Sequence, residues 1–459
     1  MSLSNRELGI VAPEQHAGRL WQNRDYLLLW CGQAISTTGS TASELALPLL
    51  ILSLTHSPVQ AGLVGALHTV AILLANLPAG ALVDRWNRKH TMMWCDSGRA
   101  IALASIPLAL ALGHLTTVQL YLAAVVEGTL AAFFDLAQAA SIPRVVRKEQ
   151  LPVTIAQQEV TAGVVTLLGP SLGGALYGLA RSLPFLADAI SYRASVCSLV
   201  FVRTPLQEMR STLPGKLPME IAAGMAWLWR HPVFRSIALL MGGLVFIDDG
   251  MRLIVIVLAQ HQGASSLTIG LIFGLGGIGG IVGALLGAQV QRRLSFATVI
   301  IGAFWAFVVI WPLYALASSP FVIGAILACF WLVDEIYDVV QISYRRAQVP
   351  DALQGRVNSA YRVVIYSLIA LANVLTGYLL QSVGPLWTIA LFGACLVLLA
   401  LGATLNAPVW NAGSQGGKGE EREQMKLAHG SSPPEGRPDQ APHNVALGEP
   451  GYADGQQLE

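Results

Sequence analysis

Apolar runs of about 20 residues or more alternate along this chain with short polar turns. A helix that crosses a bilayer needs about 20 mostly apolar residues. On that rule the runs predict twelve spanning helices, at 26–53, 59–82, 91–113, 116–140, 153–180, 184–203, 233–259, 266–290, 297–317, 320–342, 357–381 and 386–406. Several are long enough to tilt. The glycines and prolines inside them are tolerated in membrane helices. The fold expected is all-α and integral to the membrane.

The polar stretches complete the plan. Residues 1–23 are polar and mixed in charge, with no cleavable signal, and read as a cytoplasmic segment. Residues 204–232 read as a linker opened by Pro205, Pro214 and Pro218. Its second part places Ile221, Met225 and Leu228 on one helical face, with Trp227, Trp229 and Arg230 suited to a headgroup boundary. That pattern fits an interfacial helix, or a short helix packed on the floor of the bundle. Beyond residue 406 the composition shifts to Gly, Ser, Pro, Gln and Glu, and 407–459 read as a disordered cytoplasmic tail. The two helical blocks are then 24–203 and 233–406.

Charge orients this plan. Lysine and arginine fall in alternate loops: Arg85, Arg88 and Lys89; Arg144, Arg147 and Lys148; Arg203, Arg210, Lys216 and Arg230; Arg292 and Arg293; Arg345, Arg346 and Arg356. The intervening loops carry only Arg181. Basic loops stay inside, so both termini are expected in the cytoplasm. The blocks also echo each other. Gly80-Ala81-Leu82 before Arg88-Lys89 returns as Gly283-Ala284-Leu285 before Arg292-Arg293, and Gly174 returns as Gly377, roughly 203 residues on. Two six-helix halves in parallel orientation, a transporter design, explain the echo.

Composition agrees. The chain has 459 residues, 54% hydrophobic and 12% charged, with a mean hydropathy of +0.57. Soluble proteins carry about 25% charged residues. A net charge of +1 gives no reason to expect nucleic acid. The five cysteines sit in or beside apolar runs without metal spacing, so neither disulfides nor a metal site are expected. There is no GxxxxGK[ST] loop, GxSxG elbow or HExxH pair, so no built-in ATPase or hydrolase is expected.

Five stretches resemble a known family. Gly80-Ala81-Leu82-Val83-Asp84-Arg85-Trp86-Asn87-Arg88-Lys89 is similar to the signature turn of the major facilitator superfamily, with Asn87 in place of a glycine. Gly169-Pro170-Ser171-Leu172-Gly173-Gly174 resembles the core of the antiporter motif of exporters; its leading glycine would fall at Val165. Asn23-Arg24-Asp25-Tyr26, the run from Leu186 to Tyr192 and the run from Val349 to Val357 are similar to the macrolide-efflux and enterobactin-exporter-like drug:proton antiporters. The resemblance implies a clasp in which Gly80, Asp84, Arg85, Arg88 and Lys89 close the inner side. Asp84 would face the start of the eleventh span near Ser359-Ala360-Tyr361, and the basic residues would pair with acids such as Asp96. It also implies that spans one, four, seven and ten line a cavity.

Acids inside apolar runs are the sharpest chemical signal. Each costs roughly 2.5–3.5 kcal/mol at mid-membrane, so each must face water, find a partner or be protonated. The candidates for proton coupling or the cavity are Glu44, Glu127, Asp135, Asp249, Asp334 and Asp338. Asp248 and Arg252 are spaced for an in-helix ion pair. Glu159 lies near a helix end, and Asp188 fits a cap or pair. His68 reads either as a proton relay or as a satisfied helix histidine. Phe133, Phe134, Phe246, Trp331 and Tyr337 are the aromatic candidates for holding an amphipathic substrate; bundle packing explains them equally. The function expected is proton-coupled efflux of small amphipathic compounds by a monomeric bacterial plasma-membrane carrier. It needs no cofactor beyond the proton gradient. The alternatives are an importer or uniporter of a polar metabolite, or a membrane sensor.

Overall fold

The computed structural model describes residues 20–207, 217–349, 351–408 and 410. The expectations for 1–19, 208–216 and 411–459 lie outside the described residues. The described residues fall in one compact unit, and their helices follow the apolar runs.

The first six are α1 (Arg24–Thr55), α2 (Pro58–Arg85), α3 (Arg88–Ala111), α4 (Thr117–Val145), α5 (Leu151–Leu179) and α6 (Leu183–Phe201). After the linker helix α7 (Leu217–Arg230) come α8 (Pro232–His261), α9 (Ser266–Arg293), α10 (Phe296–Ile310), α11 (Leu313–Leu316), α12 (Pro320–Gln348), α13 (Asp351–Ser382) and α14 (Gly384–Leu405). Local chemistry sets many starts. The side chains of Asn23, Ser57, Asn87 and Thr116 accept from the backbone NH three residues on. Trp311-Pro312 splits the run at 297–317 into α10 and the single turn α11.

Ten helices among the described residues are long and apolar enough to cross a membrane, with α10 and α11 counted as one. Of the twelve runs, those of α3 and α8 fall short because charges interrupt them: Asp96 and Arg99 in α3, and Asp248, Asp249 and Arg252 in α8. Several helices also run further than expected at the charged turns. α12 continues to Gln348 and α13 starts at Asp351, so most of the loop drawn at 343–356 is helix.

Helix pairing repeats along the chain. α2 packs on α4 and α9 on α12; α1 on α5 and α8 on α13; α3 on α6 and α10 on α14. The halves meet through α2 against α13 and α5 against α9. The sequence echo of Gly174 and Gly377 falls on these two seams. A Cβ at Gly174 would meet Gly270 Cα at 2.9 Å, and one at Gly377 would meet Val59 Cα at 3.1 Å. Only glycine allows helices so close.

The seams close one end of the bundle. There Ser57 Oγ donates to Gln381 Oε1 at 2.6 Å, Val59 N to the same oxygen at 3.3 Å, and Ser171 Oγ to Gly270 O at 3.3 Å. The charged turns lie at the opposite end, away from these inter-half hydrogen bonds. Gly80 has nothing within 4 Å of a built Cβ, whereas its echo Gly283 abuts Glu335 Cβ at 2.9 Å. Asp84, Asp135 and Arg362 are exposed on that side.

The linker helix α7 packs on the bundle floor. Leu228 is buried with Phe234, Val357 and Tyr361, and Trp227 lies 4.9 Å from Phe234, while Trp229 stays exposed.

Candidate functional site

A cavity of about 470 Å³ lies between the two halves, nearer the seam end than the charged-turn end. Glu44 and Ser40 of α1, His68 of α2, Glu127 of α4 and Asp188 of α6 line the first half's wall. Asp249 and Arg252 of α8, Phe273 of α9, Trp331 of α12 and Asn373 of α13 line the other. The walls between these polar groups are aliphatic, including Leu103, Ile106, Val64 and Ile256.

Glu127 is the hub of the first wall. Arg99 donates to its Oε1 through Nε at 3.0 Å and also through Nη2. His68 Nε2 shares a hydrogen bond with its other oxygen, and Tyr192 OH donates at 3.2 Å. The Arg99 guanidinium sits 4.2 Å from the centre of the Tyr192 ring, and Tyr192 OH meets Ser40 Oγ at 2.8 Å. Five helices thus hold one buried carboxylate and one buried cation. Pairing and stacking offset the cost of placing both in an apolar bundle.

The second wall is held less tightly. Asn373 Nδ2 donates to Asp249 Oδ2 and to Ile369 O. The ion pair expected between Asp248 and Arg252 is not among the four that the described residues make. Asp248 Oδ1 instead accepts from Trp331 Nε1 at 2.9 Å, because α12 brings the indole across. Arg252 is left facing the cavity, where Asp248, Asp249 and Glu44 surround it electrostatically.

Of the six candidate acids, Glu44, Glu127 and Asp249 line the cavity. Asp135 faces the charged-turn side, and Asp334 and Asp338 are half-buried along α12, outside the cavity wall. Among the aromatic candidates, Trp331 alone reaches the cavity. Phe134 and Tyr337 are core residues; Phe133 stacks on Trp86 and Phe246 on Phe392. Of the antiporter-like motif, Pro170 reaches the wall, while Gly169 and Gly173 pack against Thr41 and Ala42 of α1.

The clasp residues have different partners from those expected. Asp84 lies 3.7 Å from Arg88 one turn on. Asp96 is fully buried 3.7 Å from Arg99, its i+3 neighbour, because it lies too deep for the turn's cations. Arg88 donates to Ala140 O and Leu206 O, and Lys89 to Val200 O and Val202 O, where it caps the end of α6. Asp25 accepts from the backbone NH groups of Arg203 and Thr204, and Gln207 donates to Asp84 O. The turn therefore fastens the start of the linker to the first half. Arg85 is exposed.

A reading centred on acids passed over Arg99 and Asn373, and took Arg252 only as a partner for Asp248 and Tyr192 only as the end of a motif run. Arg99 and Arg252 carried a usable signal, since a cation inside an apolar run is as costly as an acid. Tyr192 and Asn373 carried none.

A family profile described as the Major Facilitator Superfamily matches residues 29–372. The enterobactin exporter EntS of Citrobacter koseri is 26% identical over 368 residues, covering 78% of this chain and 85% of its own length. The enterobactin exporter EntS of Escherichia coli O1:K1 is 25% identical over 366 residues, with the same coverages of 78% and 85%. Among solved structures, the nucleoside transporter NupG superposes with a TM-score of 0.66 at 13% identity, over 83% of this chain and 98% of its own. A bacterial homologue of the iron transporter ferroportin in its inward-facing state gives 0.62 at 17% identity, over 83% and 98%. These two likenesses show a shared fold.

Proposed function

The chain belongs to the major facilitator superfamily, and we propose that it exports small amphipathic molecules in exchange for protons, by alternating access. It is a multi-pass plasma-membrane transporter. In our reading twelve helices cross the bilayer and both termini are cytoplasmic. The basic residues clustered at 85–89, 144–148, 292–293 and 345–346 support that orientation. The closed seam end then faces outward and the charged-turn end faces the cytoplasm. Blocks 24–203 and 233–406 act as the two rocking halves of a monomer, around the linker at 204–232.

One observation carries the coupling. Carboxylates from both halves, Glu44, Glu127 and Asp188 on one side and Asp249 on the other, converge on a single cavity between the two ends. Acids at that depth take part in transport chemistry by default. Asp249, with a neutral amide as its hydrogen-bond donor, is the proton carrier we favour; Glu127 is already committed to Arg99. The proton gradient supplies the energy, with no cofactor. Export as the direction is supported by the names of the sequence relatives, which are exporters.

The test is whole-cell accumulation of a panel of unrelated amphipathic dyes, with and without the protein and a proton uncoupler. Expression is expected to lower accumulation of some dyes, and the uncoupler to restore it. Lowered accumulation that survives the uncoupler would remove the proton; raised accumulation on expression would reverse the direction.

A further inference from the structure

Asn373 stands at two places at once. Its side-chain amide donates to Asp249 Oδ2 on α8. Its own helix, α13, forms the seam with α2, and Asn373 is a residue on which that seam closes. A Cβ at Gly62 would lie 3.1 Å from the Asn373 carbonyl carbon and 3.2 Å from Gly377 Cα. A Cβ at Gly65 would meet Asn373 Oδ1 at 2.5 Å and Cγ at 2.9 Å. Two glycines one turn apart on α2 thus form a slot that the backbone and side chain of Asn373 fill. Two turns further along α13, Gln381 accepts the hydrogen bonds from Ser57 and Val59 that seal the end.

We propose that Asn373 is a positioning residue that ties the protonation of Asp249 to closure of the α2–α13 seam. An ionised Asp249 accepts a charge-assisted bond from Nδ2, which fixes the amide and turns Oδ1 into the slot at Gly65. A protonated Asp249 binds that amide more weakly. The side chain then turns more freely in a slot with no room to spare, and the seam loosens. The other charged groups around Asp249 are Asp248 and Arg252 on its own helix and Glu44 from α1. His68 of α2 lines the same cavity, and Asp334 of α12 lies within electrostatic reach of Asp248. Of these only His68 stands on a seam helix, and its side chain bonds to Glu127 of α4 rather than to α13, whereas Asn373 bonds Asp249 and fills the slot on α2. The inference rests on Asp249 being the coupling acid, and it concerns conformation, so it can fail while transport coupling stands.

Hydrogen exchange of the full chain in lipid nanodiscs tests it, without substrate or gradient, followed over peptides spanning 55–66 and 376–386. Rates are corrected for the intrinsic pH dependence of exchange. Between about pH 8 and pH 5, protection of these peptides is expected to fall roughly tenfold, the difference between a hydrogen bond to a charged and to a neutral acceptor. Asp249→Asn is expected to show low protection at every pH. Asn373→Ala is expected to abolish the pH step, and Asn373→Ser to do the same should the alanine variant not fold. Gly62→Ala is expected to lower protection throughout while keeping the step, because it crowds the seam and leaves the amide bonded. A step that persists in the foldable Asn373 variant, or in Asp249→Asn, overturns the proposal. A wild-type protein with no step overturns it as well, even where dye efflux is proton-coupled.

Discussion

Arg99 donates through two nitrogens to a single oxygen of Glu127, and this bridge ties α3 to α4 across the first half of the bundle. Both side chains are shielded from solvent, with exposures of 9% and 15%. A buried pair of this kind is costly to break from one side, because Arg99 would keep only the more distant Asp96, at 3.7 Å, to balance its charge. Breaking such pairs costs about 3–5 kcal/mol. Glu127→Gln is therefore expected to lower the thermal stability of the purified protein substantially, as read by unfolding in detergent. Asp249→Asn, which trades one hydrogen-bond acceptor for another beside an amide, is expected to change stability little. Equal melting behaviour of the two variants would show that Arg99 does not depend on Glu127.

Arg99 also stacks over Tyr192, at 4.2 Å from the ring centre. A lysine keeps the charge and loses both the fork and the flat face. Arg99→Lys is expected to reduce dye efflux severalfold and to cost about 1–3 kcal/mol of stability, from lost hydrogen bonding at a buried site. Wild-type efflux in Arg99→Lys would mean that charge alone matters there.

The two seams offer a matched pair of tests. Gly174→Ala would place a methyl 2.9 Å from Gly270 Cα, and Gly377→Ala would place one 3.1 Å from Val59 Cα. In both the obstacle is backbone of the opposite half, which cannot turn aside. Both variants are expected to insert normally and to lose most transport, because the closed end cannot form. Gly80→Ala meets nothing within 4 Å and is expected to leave stability unchanged. Cross-linking across the α5–α9 seam, compared among the three, reads the effect directly. Undiminished cross-linking in Gly174→Ala would refute it.

Much of this was legible in the sequence because the bilayer imposes one dominant rule. Length and apolarity located the helices to within about six residues, and Gly174 and its echo Gly377, which spoke only for two repeated halves, turn out to lie on the two seams. Periodic signals do not say which face of a helix looks inward. Glu127 and Asp135 lie eight residues apart on α4, yet only Glu127 lines the cavity. Asp334 and Asp338 drew attention as acids, although their helix shows Trp331 to the cavity instead. Asn373 escaped notice because a lone asparagine in an apolar run has no signature. Its role appears only once α8 and α2 lie on either side of it.

Asp84 and Arg88 are one turn apart, 3.7 Å from each other, and should respond differently to mutation. The Asp84 side chain is 48% exposed, and exposed ion pairs contribute about 0–1 kcal/mol. Asp84→Asn is thus expected to melt like the parent. Arg88 is 7% exposed, and its guanidinium reaches the carbonyls of Ala140 and Leu206. Arg88→Ala removes both hydrogen bonds, the one to Leu206 buried, and is expected to cost about 1–3 kcal/mol in all. If Asp84 latches the halves when the charged-turn end closes, its loss lowers efflux at unchanged stability, because the latch is absent from the conformation described here. Loss of stability and transport together in Asp84→Asn would instead make it a static support of the turn, and normal transport would leave it with no part in the cycle.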